Sequence, residues 1–135
     1  MSGLLFTNAH KLVRARILTV LERHNLSPTY WAILGATAQA PEGIRQSHIA
    51  AMLTVKAPVI TTEAVELINR DLIRRIPHHT DGRAKLLVIT PKGKKLANTI
   101  ENELNEEIHK LLNGLTGEEV LIFQKTLETI IHNSK

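Results

Sequence analysis

Leu5, Ala9, Leu12, Val13, Ile17, Val20 and Leu21 recur at helical spacing, which predicts a first helix over Leu4–His24. Ser27 is a good N-cap and Pro28 suits a first helical position, so a second helix should run from Pro28 to about Ala40 and stop at Pro41 and Gly43. "IRQSHIAAMLTV" and "KAPVITTEAVELINRDLI" read as two further helices, divided by a turn around Leu53–Val55. Pro58 is tolerable only in a first turn, and this puts the start of the fourth helix near Lys56.

The pattern then changes. "LIRRIP" and "KLLVIT" are short, apolar and β-branched, and they flank the loop "HHTDGR"; together they predict a β-hairpin. Thr90–Pro91 repeats the N-cap and first-position proline of the second helix. Leu96, Ile100, Leu104, Ile108, Leu111 and Leu115 follow as one stripe on a long helix ending at Asn113–Gly114. Thr116 and Glu119 form a capping box for a last helix with Val120, Phe123, Leu127, Ile130 and Ile131 on its apolar face. The expected fold class is mainly α with a small β-hairpin.

Two short helices joined by a tight turn and followed by a β-hairpin describe a winged helix-turn-helix, whose second helix lies in the DNA major groove and whose hairpin is the wing. Charge is distributed to match. The net charge is only +4, but residues 1–40 carry four Lys and Arg against one acid, residues 41–95 ten against five, and residues 96–135 three against seven. A basic middle with an acidic tail suits a segment that faces a polyanion; a solvated surface with chance asymmetry would look the same. An arginine at a wing tip has a use in the narrow, negative minor groove of A·T-rich DNA, and Arg83 is the candidate. Asp81 would instead accept hydrogen bonds from Arg83, Arg74 or Arg75 and fix the loop.

"DGRAKLLVITPKGKKL" resembles the D-x-R…L-T-x-x-G wing and helix-entry signature of the MarR family of transcription regulators. "LSPTYWAIL", "IRQSHIAAML" and "ELINRDLIRR" fall in that family's order and spacing, so the resemblance covers essentially the whole chain. It implies a homodimeric winged helix-turn-helix DNA binder, often a repressor relieved by a small aromatic or anionic effector; the lack of cysteine fits a reducing cytoplasm. It also implies one domain over 1–135, with a DNA-binding lobe at about 28–92 and helical dimerisation segments at about 1–26 and 93–135. Carried over by position, Asp81 and Arg83 are the wing pair, with Arg74, Arg75 and Lys85 on its strands. Lys56, Ala57, Val59, Thr61 and Thr62 would front the recognition helix, and Arg45, Gln46, Ser47 and His48 of the preceding helix would face the phosphate backbone. Three positions depart from the pattern. Thr54 and Asp71 stand where relatives commonly have glycine, and Glu63 puts an acid on the recognition helix.

The terminal helices carry longer apolar stripes than a winged helix needs to cover, which suits a twofold partner; folding onto the chain's own core is the alternative. Glu101, Glu103, Glu106 and Glu107 would then face solvent or a partner's basic residues, away from DNA. In the family, effectors bind between the dimerisation helices and the DNA-binding lobe, and here His10, Arg14, Tyr30 and Trp31 could line such a space, although Trp at helical spacing is usually core.

With no cysteine and only scattered histidines around the adjacent His78–His79, no metal centre is expected. No cofactor is expected either. An enzyme is not expected, because there is no phosphate-binding glycine loop, no nucleophile elbow and no paired carboxylates outside an acidic helix face. No apolar run approaches the ~20 residues of a membrane span. A winged-helix module for an acidic protein partner, or a DNA binder without an effector, are the competing expectations.

Overall fold

The computed structural model describes every residue except Met1, His79, Asp81, Arg83 and Ala84. Helices α1 (Gly3–Arg23) and α2 (Pro28–Ala38) are followed by a two-residue strand β1 (Ile44–Arg45), then α3 (Gln46–Leu53), α4 (Ala57–Asn69), β2 (Ile73–Pro77), β3 (Lys85–Ile89), α5 (Pro91–Leu111) and α6 (Gly117–Asn133). The N-caps act as the sequence suggested. Ser27, Thr90 and Thr116 each accept a backbone N–H of the first turn, and Thr116 with Glu119 closes a full capping box.

One element differs from the sequence reading. Ile44 and Arg45 do not open α3; they pair antiparallel with Leu87 and Leu86, so the sheet has three strands in the order β1-β3-β2. Two residues are too few to show alternation, so periodicity cannot separate them from the helix that follows.

Three helices end in the same way. Asn25, Thr54 and Asp71 have φ of 54°, 56° and 57°, the left-handed region. After each, the next amide turns back across the helix end: Leu26 to Leu21, Val55 to Ala50 and Leu72 to Leu67, all at 3.0 Å. Thr54 and Asp71, which depart from the glycines of the pattern noted above, both take a conformation that favours glycine. The cost is steric, about 1–2 kcal/mol for an L-residue with a full side chain. Asparagine and aspartate tolerate it best, and β-branched threonine worst.

The core gathers Val20, Leu21, Leu26, Ile33, Leu34, Ile49, Ile60, Leu67, Ile73, Leu87, Ile100 and Leu104, all buried, from α1 to α5. Arg70 ties the end of α4 to the α1–α2 turn, donating to the carbonyls of His24 and Asn25 at 2.9 Å each. Helices α1 and α5 are joined at Arg16–Glu107 (3.1 Å) and His24–Glu103 (2.8 Å). Glu103 and Glu107 therefore turn inward to α1 instead of facing solvent or a partner. The ends of the chain behave differently. Leu4, Leu5, Phe6, Leu12 and Val13 of α1 are exposed, and α6 has no buried residue at all, with Leu121, Ile122, Phe123, Leu127, Ile130 and Ile131 open. No helix among the described residues is long and apolar enough to cross a membrane.

Candidate nucleic-acid interface

α3, the turn at Thr54 and α4 form a helix-turn-helix against β1 and the hairpin. Ile49, Ala50, Ile60, Ala64 and Leu67 face the core and fix the two helices, which leaves the opposite face of α4 open. On that face Lys56, Ala57, Val59, Thr61 and Thr62 are all exposed. Arg45, Ser47 and His48 are exposed at the start of α3. Neither helix has a side-chain cap at its N-terminus, and the N-cap residues are basic, Arg45 and Lys56. The positive end of each helix and its flanking cation suit an anion such as a phosphate oxygen, although at α4 Pro58 has no N–H and the Val59 N–H already meets the Lys56 carbonyl at 3.0 Å.

The hairpin stands beside this face. Arg74 is exposed and Arg75 partly buried, as expected of neighbours on opposite faces of β2, and Lys85 is exposed where β3 begins opposite Pro77. Asp81 and Arg83, the predicted wing pair, lie outside the described residues. Arg75 differs from its expected place. Its Nε donates to Gln46 Oε1 at 2.7 Å and its Nη2 is buried with no hydrogen-bond partner among the described residues, so it does not reach out as a free surface cation. Gln46 is likewise drawn in, and its Nε2 donates to Thr61 Oγ1 at 3.1 Å. This three-residue link was invisible in the sequence, where the partners stand 15 and 29 positions apart.

A shallow open depression of about 530 Å³ lies between the α2–β1 loop and the wing, lined by Glu42, Gly43, Arg45, His48, His78 and Leu86 among others. Arg45 Nη2 and His78 Nε2 approach to 3.5 Å across it. Its lining is continuous with the start of α3 and extends that polar face.

Of the residues expected to line an effector site, two lie on α1 and two on α2. His10 and Arg14 are exposed on α1, whereas Tyr30 and Trp31 are partly buried against the core. The Tyr30 hydroxyl looks toward α4. Burial first, and then the Glu63 carboxylate opposite it, pushes the phenol above its ordinary value. Glu63 thus belongs to the inner side of α4 and leaves the outer face to Lys56 and the threonines. Among the described residues no group of histidines and acids could hold a metal ion.

The model of the MarR family matches residues 24–84, the stretch from the end of α1 to the wing. The chain is similar to a MarR-family transcriptional regulator from Rhodococcus sp. RHA1, at 22% identity and a TM-score of 0.81, covering 95% of this chain and 90% of that one. It is also similar to a mutant of S. aureus MepR bound to an oligodeoxyribonucleotide, at 22% identity and a TM-score of 0.71 over 98% and 97% of the two chains. CouR from Rhodococcus jostii RHA1, bound to p-coumaroyl-CoA, matches at 22% and 0.78 over 95% and 89%. Residues 24–84 match the family in sequence and nearly the whole chain shares the fold of these proteins: the chain is MarR-like, with a winged helix-turn-helix at its centre.

Proposed function

We propose that the chain is a transcription regulator that binds double-stranded DNA as a homodimer, in the cytoplasm, and represses by occluding a promoter. The observation that carries this reading is the outer face of α3 and α4. Two uncapped helix N-termini, each flanked by a basic residue, open onto the same surface as the exposed front of α4. Val59, Thr61 and Thr62 lie exposed beside these two helix ends, a face that suits a groove with phosphates on its rims. The MepR relative, seen with an oligodeoxyribonucleotide, supports the same docking.

In this reading residues 28–92 are the DNA-binding lobe, and residues 1–26 and 93–135 make the dimer. Arg45, Ser47, Lys56, Arg74 and Lys85 contact the backbone, Val59, Thr61 and Thr62 enter the major groove, and Asp81 and Arg83 shape and extend the wing. The exposed apolar faces of α1 and α6 support a twofold partner, because a chain alone would leave them in water. Two copies related by a twofold axis would set their α4 helices about 34 Å apart on one face of the duplex.

CouR, seen with p-coumaroyl-CoA, supports an effector that relieves repression. For its site we put forward His10, Arg14, Tyr30 and Trp31, on the resemblance to the family. An effector could act only by binding one dimer geometry better than the other.

Selection from a pool of random duplexes tests the reading. It predicts enrichment of an inverted repeat with half-sites one helical turn apart. A pool that stays random through repeated rounds at low salt would contradict it, and would favour a protein partner for the basic face.

A further inference from the structure

Gln46, Thr61 and Arg75 belong to α3, α4 and β2, and their hydrogen bonds decide what the recognition helix can read. A guanidinium has only donors. The Gln46 atom that meets Arg75 Nε at 2.7 Å is therefore the amide oxygen, and Gln46 Nε2 must face the other way, toward Thr61 Oγ1 at 3.1 Å. Thr61 Oγ1 also lies 3.2 Å from the carbonyl oxygen of Ala57, which can only accept, so the hydroxyl proton is committed there. A hydroxyl has one proton and two lone pairs. One lone pair takes the Gln46 proton, and the other is left on the exposed face. Thr62 is set in the same sense, its proton given to the carbonyl of Pro58 at 3.0 Å.

The groove-facing threonines are thus acceptors. A phosphate oxygen, guanine O6 and N7, and thymine O4 would each meet a lone pair there with a lone pair of their own. Only adenine and cytosine offer a donor in the major groove, through their amino groups. Beside the Thr61 acceptor stands a donor, the second Nε2 proton of Gln46. Adenine presents an acceptor next to its amino group, N7 beside N6, whereas cytosine presents the amino group alone. Val59, exposed one turn before Thr62, adds an apolar surface for the thymine methyl of an A·T pair.

We infer that Thr61 and Gln46 together read the N6 and N7 edge of an adenine, and that Arg75 is a positioning residue that sets the Gln46 amide the right way round. The inference rests on the regulator reading above and adds its base preference. Arg75 fits the part because its guanidinium is only partly satisfied where it stands. Its buried Nη2 has no partner among the described residues, and its sole acceptor in the link is a neutral amide.

The test uses the duplex enriched by selection, with purine (adenine lacking its 6-amino group) replacing each adenine in turn, and affinity read by fluorescence anisotropy. In the wild type one adenine per half-site should cost about tenfold on replacement. Thr61→Val keeps the shape and loses the acceptor; it should bind the unmodified duplex about tenfold more weakly and be indifferent to purine at that position. Arg75→Met should unfold at or above the wild-type temperature, yet lose most of the discrimination between adenine and purine there. A loss of affinity without a change in that ratio would mark Arg75 as merely structural and overturn its role. Coupling of Thr61 to no adenine, or to a cytosine, would overturn the adenine assignment while leaving DNA binding intact. If no duplex is enriched, the regulator reading falls, and this inference with it.

Discussion

Thr90 Oγ1 accepts the backbone N–H of Gly93 at 2.9 Å and lies 2.7 Å from the carbonyl oxygen of Asp71, to which it donates. One buried hydroxyl thus caps α5 and pins it to the turn between α4 and β2, and this explains the T-x-x-G of the wing signature. Gly93 is part of the same joint. A Cβ built there would stand 2.1 Å from the carbonyl oxygen of Leu72 and 2.8 Å from Ile89 Cγ1, so the helix can approach the strand only if residue 93 has no side chain.

Gly93→Ala should therefore destabilise the fold by about 3 kcal/mol or more, since the clash is with backbone that cannot turn away. Gly35, in the middle of α2, is the control. A Cβ there meets nothing within 4 Å, and Gly35→Ala should be neutral or stabilising by up to about 1 kcal/mol. Thermal unfolding of the two variants should move in opposite directions; equal losses would show that α5 does not depend on this approach.

Thr54 makes the opposite case. It holds φ 56° and ψ 44° at the end of α3, where its branched Cβ is crowded. Thr54→Gly should gain about 0.5–1 kcal/mol net, the relief of strain being partly offset by the freer unfolded chain. A lower melting temperature for this variant would mean that the Thr54 side chain contributes something its exposed position does not suggest.

Much of this fold could be read from the sequence, and the reason lies in particular residues. Ser27–Pro28, Thr90–Pro91 and Thr116–Glu119 are local signals, complete within four positions, and each begins a helix where expected. β1 was missed because Ile44 and Arg45 are a strand only by virtue of Leu86 and Leu87, about forty residues on. The site was legible to the same extent. Exposure of Lys56, Thr61 and Thr62 follows from helical period, whereas the Arg75–Gln46–Thr61 link depends on three elements meeting. The inward turn of Glu103 and Glu107 could not be seen in a row of acids, since it depends on Arg16 and His24 of a distant helix.

Arg16 first, and Lys110 after it, hold the Glu107 carboxyl below its ordinary value of 4.5. A carboxylate depressed in the folded state adds stability above its unfolded value, and loses it as pH falls through the folded one. Glu107→Gln should lower the melting temperature modestly at pH 7. The gap to wild type should close as pH falls below about 4. A gap that is constant with pH would assign the effect to packing instead of charge.

Phe123, Leu127 and Ile131 lie on the open face of α6, 39%, 45% and 60% exposed. If a second copy covers them, Leu127→Glu buries a charge at the contact and should convert a dimer to a monomer by light scattering. DNA affinity should fall at the same time, because half-sites would then be bound singly. A dimer undisturbed by the substitution would place the interface elsewhere.

In the reading proposed above, residues 24–84 dock on a duplex. The most direct measurement is fluorescence-anisotropy binding to duplexes from the gene's own upstream region at two salt concentrations, with Arg83→Ala alongside. Binding should be tight and should fall steeply between 50 and 200 mM salt, by about 10³ or more for a dimer making several phosphate contacts. In Arg83→Ala binding should be weaker and the salt slope smaller by about one. Affinity that is no better than for a random duplex, insensitive to salt and unchanged in Arg83→Ala would contradict that reading.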